Sequence, residues 1–331
     1  MRGSAAAATH SSEHAEFAAL FERHRRELHV HCYRLMGSLQ DAEDLVQETF
    51  LNAWRNRHRF ERRSSFRTWL YRIATNACLN ALQRNPRRLV PQQVMRPADP
   101  AVDLLPDAEL PWLQPYPDRL LDELEPEAAV VSRETIELAF LAAIQHLPPR
   151  QRAVLILRDA LDWSASDAAS LLDSSVASVN SALQRARATL KEHLPEERDD
   201  WSGQPDSGEE ERVLLRYMDA WERHDAAGLA SLLKEDAHVT MPPIPTWYLG
   251  REAIAGFFAN HVFAPNRGEF RHLATRANRQ PAFGLYRRLP GERVFTPRVL
   301  EVFRIEGEWI AAIEAFVWPE LFPVFGLPAS I

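Results

Sequence analysis

The chain has 331 residues, of which 46% are hydrophobic and 26% charged, and its formal net charge is −7. This length suits two or three globular domains, and the composition is that of an ordinary soluble protein. No apolar run approaches the roughly 20 residues that a membrane span needs, and the N-terminus lacks the apolar core of a signal peptide. Cys32 and Cys78 are too few for a disulfide framework. We therefore expect a cytoplasmic protein with no membrane attachment, in which both cysteines are small buried side chains.

The charge is distributed in blocks. Between Arg55 and Arg88 there are ten arginines against one acid, Glu61, which gives +9 (10 − 1). The segments 102–127 and 196–211 each contain eight acids against one arginine. A basic block on predicted helices is typical of phosphate binding, whereas acidic blocks are by default solvated linkers. An alternative is that the acidic segments mimic nucleic acid and fold back on the basic block.

Residues 13–84 show apolar residues at helical spacing throughout, which predicts three helices. The first ends at Gly37-Ser38, the second begins near Asp41, and the third runs from about Phe66 to Gln83. The next stretch, 86–126, contains nine prolines. Because that density excludes a long helix or a central strand, it predicts an extended, acidic linker.

Residues 130–194 are again helical, and the last two predicted helices are short, joined by a tight turn and preceded by the capping residues Ser164 and Ser175. This is the pattern of a helix-turn-helix, whose second helix enters the major groove of DNA. An ordinary surface helix with a polar face would give the same pattern. Helical spacing puts Val176, Val179, Leu183 and Ala186 on the packing side of this second helix. The side chains expected at bases or phosphates are Asn180, Ser181, Gln184, Arg185, Arg187 and Lys191.

The segment 60–84 mixes arginines with aromatic residues, among them Phe60, Phe66, Trp69 and Tyr71. Such a mixture is typical of sites for opened or single-stranded DNA, where exposed bases stack on rings. The alternative is that the aromatics form the core and the arginines are solvated, which the helical spacing of Trp69 and Ile73 favours.

Together these segments resemble the small, two-region members of the sigma-70 family. Region 2.2 of that family is resembled by residues 41–55, DAEDLVQETFLNAWR. Regions 2.3 and 2.4 are resembled by residues 60–84, FERRSSFRTWLYRIATNACLNALQR. Region 4 is resembled by residues 147–194, which run from LPPRQRAV to KEHL. The resemblance covers nearly all of residues 14–195. It implies an extracytoplasmic-function (group IV) sigma factor, which binds core RNA polymerase and promoter DNA while the polymerase does the chemistry.

The resemblance also implies residue roles. The 41–55 helix would bind polymerase through Asp44, Gln47 and Glu48. The 176–191 helix would read the −35 element, and the proline-rich segment would thread toward the polymerase active site in place of a folded region 3. The residues implied at the −10 element are Arg63, Arg67, Arg72, Asn76, Asn80 and Arg84.

After residue 208 the pattern changes to two helices, near 209–223 and 226–234, followed by strands at 237–241, 270–278, 282–288, 298–305 and 309–317 with a helix near 251–261. Helices followed by a meander indicate an α+β domain. The segments LLRYMDAWERHDAAGLASLLKEDAHVTMPP (214–243) and WYLGREAIAGFF (247–258) resemble the SnoaL-like branch of the NTF2-like fold, a cone of curved sheet around a pocket. The three-part layout resembles sigma factors of the SigJ and SigX5 types.

Candidate pocket residues in this domain are Trp221, Trp247 and Glu314. Some SnoaL-like proteins are cyclases or isomerases that use an Asp/His pair, for which the candidates here are His224, Asp225, Asp236, His238 and Glu314. Asp225 is equally well placed as a helix cap. Spacing alone places no acid/base pair, and we expect neither catalysis nor a cofactor or metal.

The predicted architecture is therefore multidomain, with two all-α sigma domains followed by an α+β, NTF2-like, cone-shaped barrel. Its parts are sigma region 2 (14–88), a proline-rich acidic linker (89–131), sigma region 4 (132–195), a second linker (196–208) and a SnoaL-like domain with a C-terminal tail (209–331). The leading hypothesis is a sigma factor regulated in cis by its last domain, through an intramolecular contact with the sigma regions and with a small-molecule ligand as a further partner. The alternatives are a bifunctional protein with a small-molecule enzyme at its C-terminus and a plain helix-turn-helix repressor.

Overall fold

The computed structural model describes residues 2–60, 65–84, 87–123, 135–194, 207–265 and 267–331. The chain forms two compact units. The helical unit comprises Met1–Arg88 and Leu120–Leu194, and the mixed unit comprises Leu89–Arg119 and Pro195–Ile331. Among the described residues, no helix is both long and apolar enough to cross a membrane.

The first half of the helical unit is a three-helix bundle of α1 (Arg2–Met36), α2 (Leu39–Arg55) and α3 (Phe66–Arg84). Gly37 ends α1 with a φ of 67°, a conformation that glycine adopts without the clash of a Cβ atom. The hydroxyl of Ser38 then caps α2 by accepting from the amide of Asp41 at 3.2 Å. Cys32 and Cys78 are both buried free thiols in this bundle, as predicted.

The second half contains α5 (Leu138–Ile144), α6 (Pro149–Leu155, continued by a π-helical turn at Ile156–Ala160), α7 (Ala165–Leu171) and α8 (Val176–His193). The short α4 (Asp118–Asp122) begins in the mixed unit, to which Asp118 and Arg119 belong, and its other residues belong to the helical unit. The predicted caps are confirmed. Ser164 accepts from the amide of Asp167 at 3.1 Å, and Ser175 accepts from the amide of Ser178 at 3.1 Å. These two caps fix the short turn between α7 and α8 and so fix the helix-turn-helix.

The mixed unit contains α9 (Ser207–Glu222), α10 (Ala226–Ala230), β1 (Leu233–Met241), β2 (Ile244–Leu249), α11 (Arg251–Phe257, continued by a π-helical turn at Phe258–Val262), β3 (Glu269–Ala277), β4 (Gln280–Arg288), β5 (Thr296–Glu306) and β6 (Trp309–Phe316). The six strands form one sheet in the order β2-β1-β6-β5-β4-β3. Within this sheet, as far as the structure describes it, β1 and β6 pair in parallel and the other neighbours are antiparallel. The sheet and its helices enclose an apolar core, which confirms the α+β prediction.

Two elements differ from the sequence-based expectation. Strand β2 was not predicted, because Pro242, Pro243 and Pro245 argue against a strand; it forms at the edge of the sheet, where a proline costs no ladder hydrogen bond. Helix α10 is shorter than predicted, since β1 already begins at Leu233.

The expectation of a solvated linker is wrong for residues 89–119. These residues belong to the mixed unit, and Trp112, Leu113 and Tyr116 are buried. The chain is extended, as the prolines require, and several of its backbone groups bond to the domain. Three backbone amides of the segment donate hydrogen bonds to β2 and to the turn before it. The amide of Ala98 donates to Trp247 O at 2.8 Å, that of Leu105 to Thr246 Oγ1 at 3.2 Å and that of Ala108 to Pro243 O at 3.0 Å.

Two carbonyl groups of the same segment also accept hydrogen bonds from the domain. The indole of Trp247 donates to Met95 O at 2.8 Å, and the side chain of Asn260 donates to Pro100 O at 3.1 Å. Further along, Asp118 accepts from the amide of Arg279 at 2.7 Å. An exposed edge strand presents unpaired backbone groups, and here the linker covers β2.

The C-terminal tail covers the outer face of the sheet, within its own domain. A 3-10 helix at Pro319–Phe325 places Phe322 edge-on against Tyr286, whose hydroxyl donates to Pro328 O at 2.7 Å. A Cβ atom at Gly284 would lie 2.6 Å from Leu327 and 2.9 Å from Phe322. Glycine at this position of β4 therefore lets the tail approach the sheet closely.

Candidate nucleic-acid interface and an enclosed cavity

Helix α3 carries an exposed polar stripe. Arg72, Asn76, Asn80 and Arg84 follow one another at intervals of four residues and are all exposed, whereas Leu70, Ala74, Ala77 and Cys78 are buried on the other side. Residues four apart lie above one another on a helix. The stripe (Arg72, Asn76, Asn80, Arg84) therefore offers two amides between two guanidinium groups to a nucleic acid.

Arg67, another predicted −10 residue, lies outside this stripe. Arg67 is committed to the bundle, because its Nε donates to Glu27 Oε2 at 2.7 Å and its guanidinium lies 4.8 Å from the ring centroid of Tyr71. The Tyr71 hydroxyl also donates to Glu27, and burial together with that carboxylate raises the pKa of Tyr71. Arg63 lies outside the described residues.

Helix α8 presents all the predicted −35 residues to solvent while Val179, Leu183, Ala186 and Leu190 are buried. The exposed set is Asn180, Ser181, Gln184, Arg185, Arg187 and Lys191. Arg187 forms a two-pronged ion pair with Asp159, at 2.7 and 3.0 Å. Val176, which sequence spacing places on the packing side, is instead 45% exposed at the first turn. An apolar side chain there is suited to contact a thymine methyl group.

Helix α2 exposes Asp44, Gln47 and Glu48 on one side, as the resemblance implies. Sequence reasoning missed Leu51, which lies one turn further along the same side and is 49% exposed. The only sequence signal was its four-residue spacing from Gln47. A large apolar side chain within an exposed polar patch is typical of a protein-binding surface.

Inside the helical unit, α6 and α7 pack on α1 and α3. Arg152 is 2% exposed and donates to Leu35 O of the bundle at 2.7 Å and to Gln145 Oε1 at 3.0 Å. Burial lowers its pKa to about 10. Arg72 of the α3 stripe donates to Ser170 O of α7 at 2.5 Å. The helix-turn-helix therefore engages one end of the stripe.

The mixed unit encloses a cavity of about 200 Å³ between the sheet, α9 and α11. Most of its wall is apolar, from Trp221, Val239, Met241, Phe257, Phe258 and Leu285 among others. Leu104 of the linker is part of the same wall. Cavities of this kind, apolar with a few polar groups, are the usual form of small-molecule sites.

One carboxylate is buried against this cavity. Glu301 is 3% exposed and lines the wall from the middle of β5. Its Oε1 accepts from the Tyr217 hydroxyl at 3.1 Å, whereas its Oε2 has no hydrogen-bond partner among the described residues and lies 3.5 Å from His272 Nε2. Burial and the Glu301 carboxylate raise the pKa of Tyr217, so this hydroxyl stays a donor.

Of the predicted pocket residues, Trp221 lines this cavity and Trp247 and Glu314 do not. Trp247 packs against the linker, through its bond to Met95. Glu314 alternates with Ile313 and Ala315, which face the cavity, so it lies on the opposite face of the sheet, where its Oε1 is 3.6 Å from His238 Nε2. Asp225 is a helix cap, accepting from the amide of Gly228 at 2.8 Å.

A helix-turn-helix and an exposed arginine–asparagine stripe on one helical unit are features typical of the class of DNA-binding proteins. The comparisons with known proteins give the class. The Sigma-70 region 2 model matches residues 20–88, the Sigma-70 region 4 model matches residues 137–190, and the SnoaL-like domain model matches residues 214–313.

The ECF RNA polymerase sigma factor SigG of Mycobacterium tuberculosis is 45% identical over 317 residues, which are 96% of this chain and 85% of that relative. SigW of Bacillus subtilis is 30% identical over 181 residues, or 54% of this chain and 88% of the relative. The crystal structure of the M. tuberculosis sigma factor SigJ matches with a TM-score of 0.59 at 21% identity, covering 94% of this chain and 99% of that one.

The chain belongs to the family of extracytoplasmic-function RNA polymerase sigma factors. It thus binds core polymerase and directs promoter recognition and transcription initiation, and it carries a SnoaL-like domain after its sigma regions. This confirms the resemblance and the fold class predicted from the sequence.

Proposed function

We propose that this sigma factor reads the −10 element with the α3 stripe and the −35 element with α8, and that the mixed unit controls it in cis by holding the linker. The protein acts in the cytoplasm, where core polymerase is. The observation that carries the proposal is the packing of residues 89–119 on the SnoaL-like domain.

The −10 role is supported by the composition of the α3 stripe. Asn76 and Asn80 can bond to the edges of bases taken out of the duplex, and the flanking Arg72 and Arg84 can neutralise phosphates. For the −35 element, Gln184 and Arg185 on α8 suit adenine and guanine in the major groove. The proposed polymerase-binding side of α2 consists of Asp44, Gln47, Glu48 and Leu51.

Control through the linker follows from its two incompatible uses. The family resemblance implies that this segment enters the polymerase channel when the sigma factor is engaged. Here its backbone is bonded instead to β2 and α11, and Leu104 forms part of the cavity wall. Binding of the segment by the mixed unit therefore competes with polymerase for the same residues.

The contact between α3 and α7 supports a second element of control. Arg72 is bonded to Ser170, and Tyr71 lies 5.4 Å from Trp163, ring to ring. Two promoter elements lie at separate positions along the duplex, so the two recognition surfaces must move apart to bind both. Engagement of a promoter thus requires loss of the Arg72–Ser170 contact.

The enzyme alternative is less well supported by the cavity. Glu301 already accepts from Tyr217, and His261, which also lines the cavity, has its Nε2 3.0 Å from Pro100 O. Both groups thus serve the structure, so we propose a binding domain and not a catalyst. Detection of turnover that Glu301→Gln abolishes would reverse this conclusion.

Run-off transcription with core polymerase tests the control in cis. The Trp247→Phe/Asn260→Ala double variant removes two side-chain bonds to the linker, and Leu249→Ala, at an exposed position of the same strand, is the matched control. We expect several-fold more transcript from the double variant and no change from the control. Equal transcription from all three proteins would contradict control through the linker and leave the family assignment intact.

A further inference from the structure

The mouth of the cavity is basic. Arg267, Arg287 and Arg298 all line it, and Arg267 and Arg298 are exposed, so the three guanidinium groups mark its solvent end. Within the described part of the chain, none of the three forms an ion pair with an acid. Burial, and then the positive charges of Arg298 and Arg267, lower the pKa of Arg287.

The acidic group of the cavity lies further along β4 and β5, the strands that carry Arg287 and Arg298. Glu301 is opposite Phe283 in the β4–β5 register, four residues along β4 from Arg287. It is buried, and one of its oxygens has no hydrogen-bond partner among the described residues. A buried carboxylate repels an anionic group, whereas three arginines without an ion pair attract one. The charge distribution therefore orients a bound molecule with any anionic group outward.

We propose that the cavity binds an amphipathic organic anion, with its apolar body among Trp221, Phe257 and Leu285 and its carboxylate or sulfonate at Arg287 and Arg298. Leu104 of the linker forms part of the wall that such a molecule contacts. This deepens the control proposed above and rests on it for any effect on transcription.

The direction of the effect follows from the cavity itself. The space of about 200 Å³ exists with Leu104 in place, so a ligand that fills it gains contact with Leu104 and need not displace it. A ligand that binds the linker-packed state more tightly must, by linkage, stabilise that state. The anion thus holds the linker on the mixed unit and lowers transcription.

Two fluorescent probes separate the anionic contribution from the apolar one. 1-Anilinonaphthalene-8-sulfonate has an apolar body and a sulfonate, and N-phenyl-1-naphthylamine has the same body without the charge. In titrations of the full chain, Arg287→Gln/Arg298→Gln should weaken sulfonate binding at least ten-fold and change binding of the neutral probe less than two-fold. Arg293→Gln, at an exposed arginine outside the cavity, is the matched control and should change neither.

A second variant checks that both probes occupy the cavity. Ala315→Leu adds volume at a wall residue of β6, and Val317→Phe does the same at a wall residue directly after the end of that strand. Either variant, if it retains the circular dichroism of the parent, should abolish binding of both probes. The proposal would be overturned if the sulfonate probe still bound to a folded variant whose cavity has been filled. It would also be overturned if replacing Arg287 and Arg298 left the affinity for the sulfonate probe unchanged.

Hydrogen exchange measures, without polymerase, whether binding of the probe in the cavity stabilises the packing of the linker. Saturation with the sulfonate probe should slow exchange of the amides of Ala98, Leu105 and Ala108 several-fold, and Leu104→Ala should reduce that protection. Unchanged exchange would contradict the coupling. Because neither assay involves transcription, a negative result here is distinguishable from failure of the proposed control in cis.

Discussion

The two units of this protein use polar side chains in opposite ways. In the helical unit the residues proposed to recognise DNA are exposed on α3 and α8, while the buried polar groups, such as Arg152, hold helices together. In the mixed unit the distinctive polar groups, Glu301 and Arg287, face a cavity. Exposed polar stripes suit a large rigid partner, whereas polar groups around an apolar space suit a small molecule.

The largest effects on DNA binding should come from replacing exposed polar residues of α3 and α8. Asn76→Ala/Asn80→Ala should lower binding to single-stranded −10 DNA roughly 100-fold, at about 1–3 kcal/mol per lost base contact, while leaving −35 duplex binding intact. Gln184→Ala/Arg185→Ala should do the reverse. Each double variant is the control of the other, and fluorescence anisotropy on promoters selected from genomic DNA measures both. Equal losses on both DNAs from either variant would contradict the assignment of the two helices.

A buried polar residue of the same unit should affect stability instead of specificity. Arg152→Ala leaves the carbonyls of Leu35 and Gln145 without their donor and should lower the free energy of unfolding of the helical unit by about 3 kcal/mol. Arg150→Ala, two residues away and exposed, should change it by less than about 0.5 kcal/mol. Urea unfolding followed by helical circular dichroism measures both. If Arg152→Ala left the free energy of unfolding unchanged, the stability of the helical unit would not depend on the hydrogen bonds of Arg152.

The exposed side of α2 is proposed to bind a protein, core polymerase, and not DNA. Leu51→Glu should weaken binding to core polymerase about ten-fold, because it places a charge in an apolar contact worth about 1.4 kcal/mol or more. Leu215→Glu is the matched control, since Leu215 is 57% exposed on α9 of the other unit. Pull-down with core polymerase at graded concentrations gives the ratio. If the two variants bind alike, Leu51 is not part of the polymerase surface.

Acid should weaken the helical unit through two buried histidines. Burial lowers the pKa of His31 to about 3 and that of His29 to about 4. Both rings are therefore neutral in the fold, whereas the unfolded chain takes up protons below its pKa of 6.5. Stability is thus complete above pH 6.5 and falls as the pH drops from 6.5 toward 4, by at most about 1.4 kcal/mol per pH unit for each histidine.

The pH dependence is measured by thermal unfolding of the full chain between pH 7 and pH 5, followed by helical circular dichroism. In His31→Gln/His29→Gln the decline should be flatter, and the same decline in the parent and the variant would contradict the assignment. His58→Gln, at an exposed histidine after α2, is the control.

The sequence predicts the helical unit well because its signals are local. The apolar spacing of α1 to α3, the caps Ser164 and Ser175 and the exposed side of α8 depend only on helical periodicity. Val176 was misplaced because a residue in the first turn has no preceding turn to cover it. Leu51 was missed because one exposed leucine does not stand out in an amphipathic pattern.

The mixed unit could be predicted only in outline, because its site depends on strand register. A shift of one residue in strand register would move Glu301 or Glu314 to the other face of the sheet. The register is set by the pairing of β5 with its neighbours β4 and β6. The three arginines come from β4, β5 and the loop before β3, so no local pattern joins them. The packing of the linker was hidden because its prolines, which indicate an extended chain, say nothing about what that chain lies on.

The most direct test of control through the linker is a disulfide between the linker and β2. The amide of Leu105 lies 3.2 Å from Thr246 Oγ1, so the two residues are neighbours where the linker meets β2, and Cys32 and Cys78 are buried in the other unit. In run-off transcription with core polymerase, oxidised Leu105→Cys/Thr246→Cys should be nearly inactive and should recover on reduction, while each single variant is unaffected by oxidant. Full transcription from the oxidised double variant would show that the packed linker does not restrain this sigma factor.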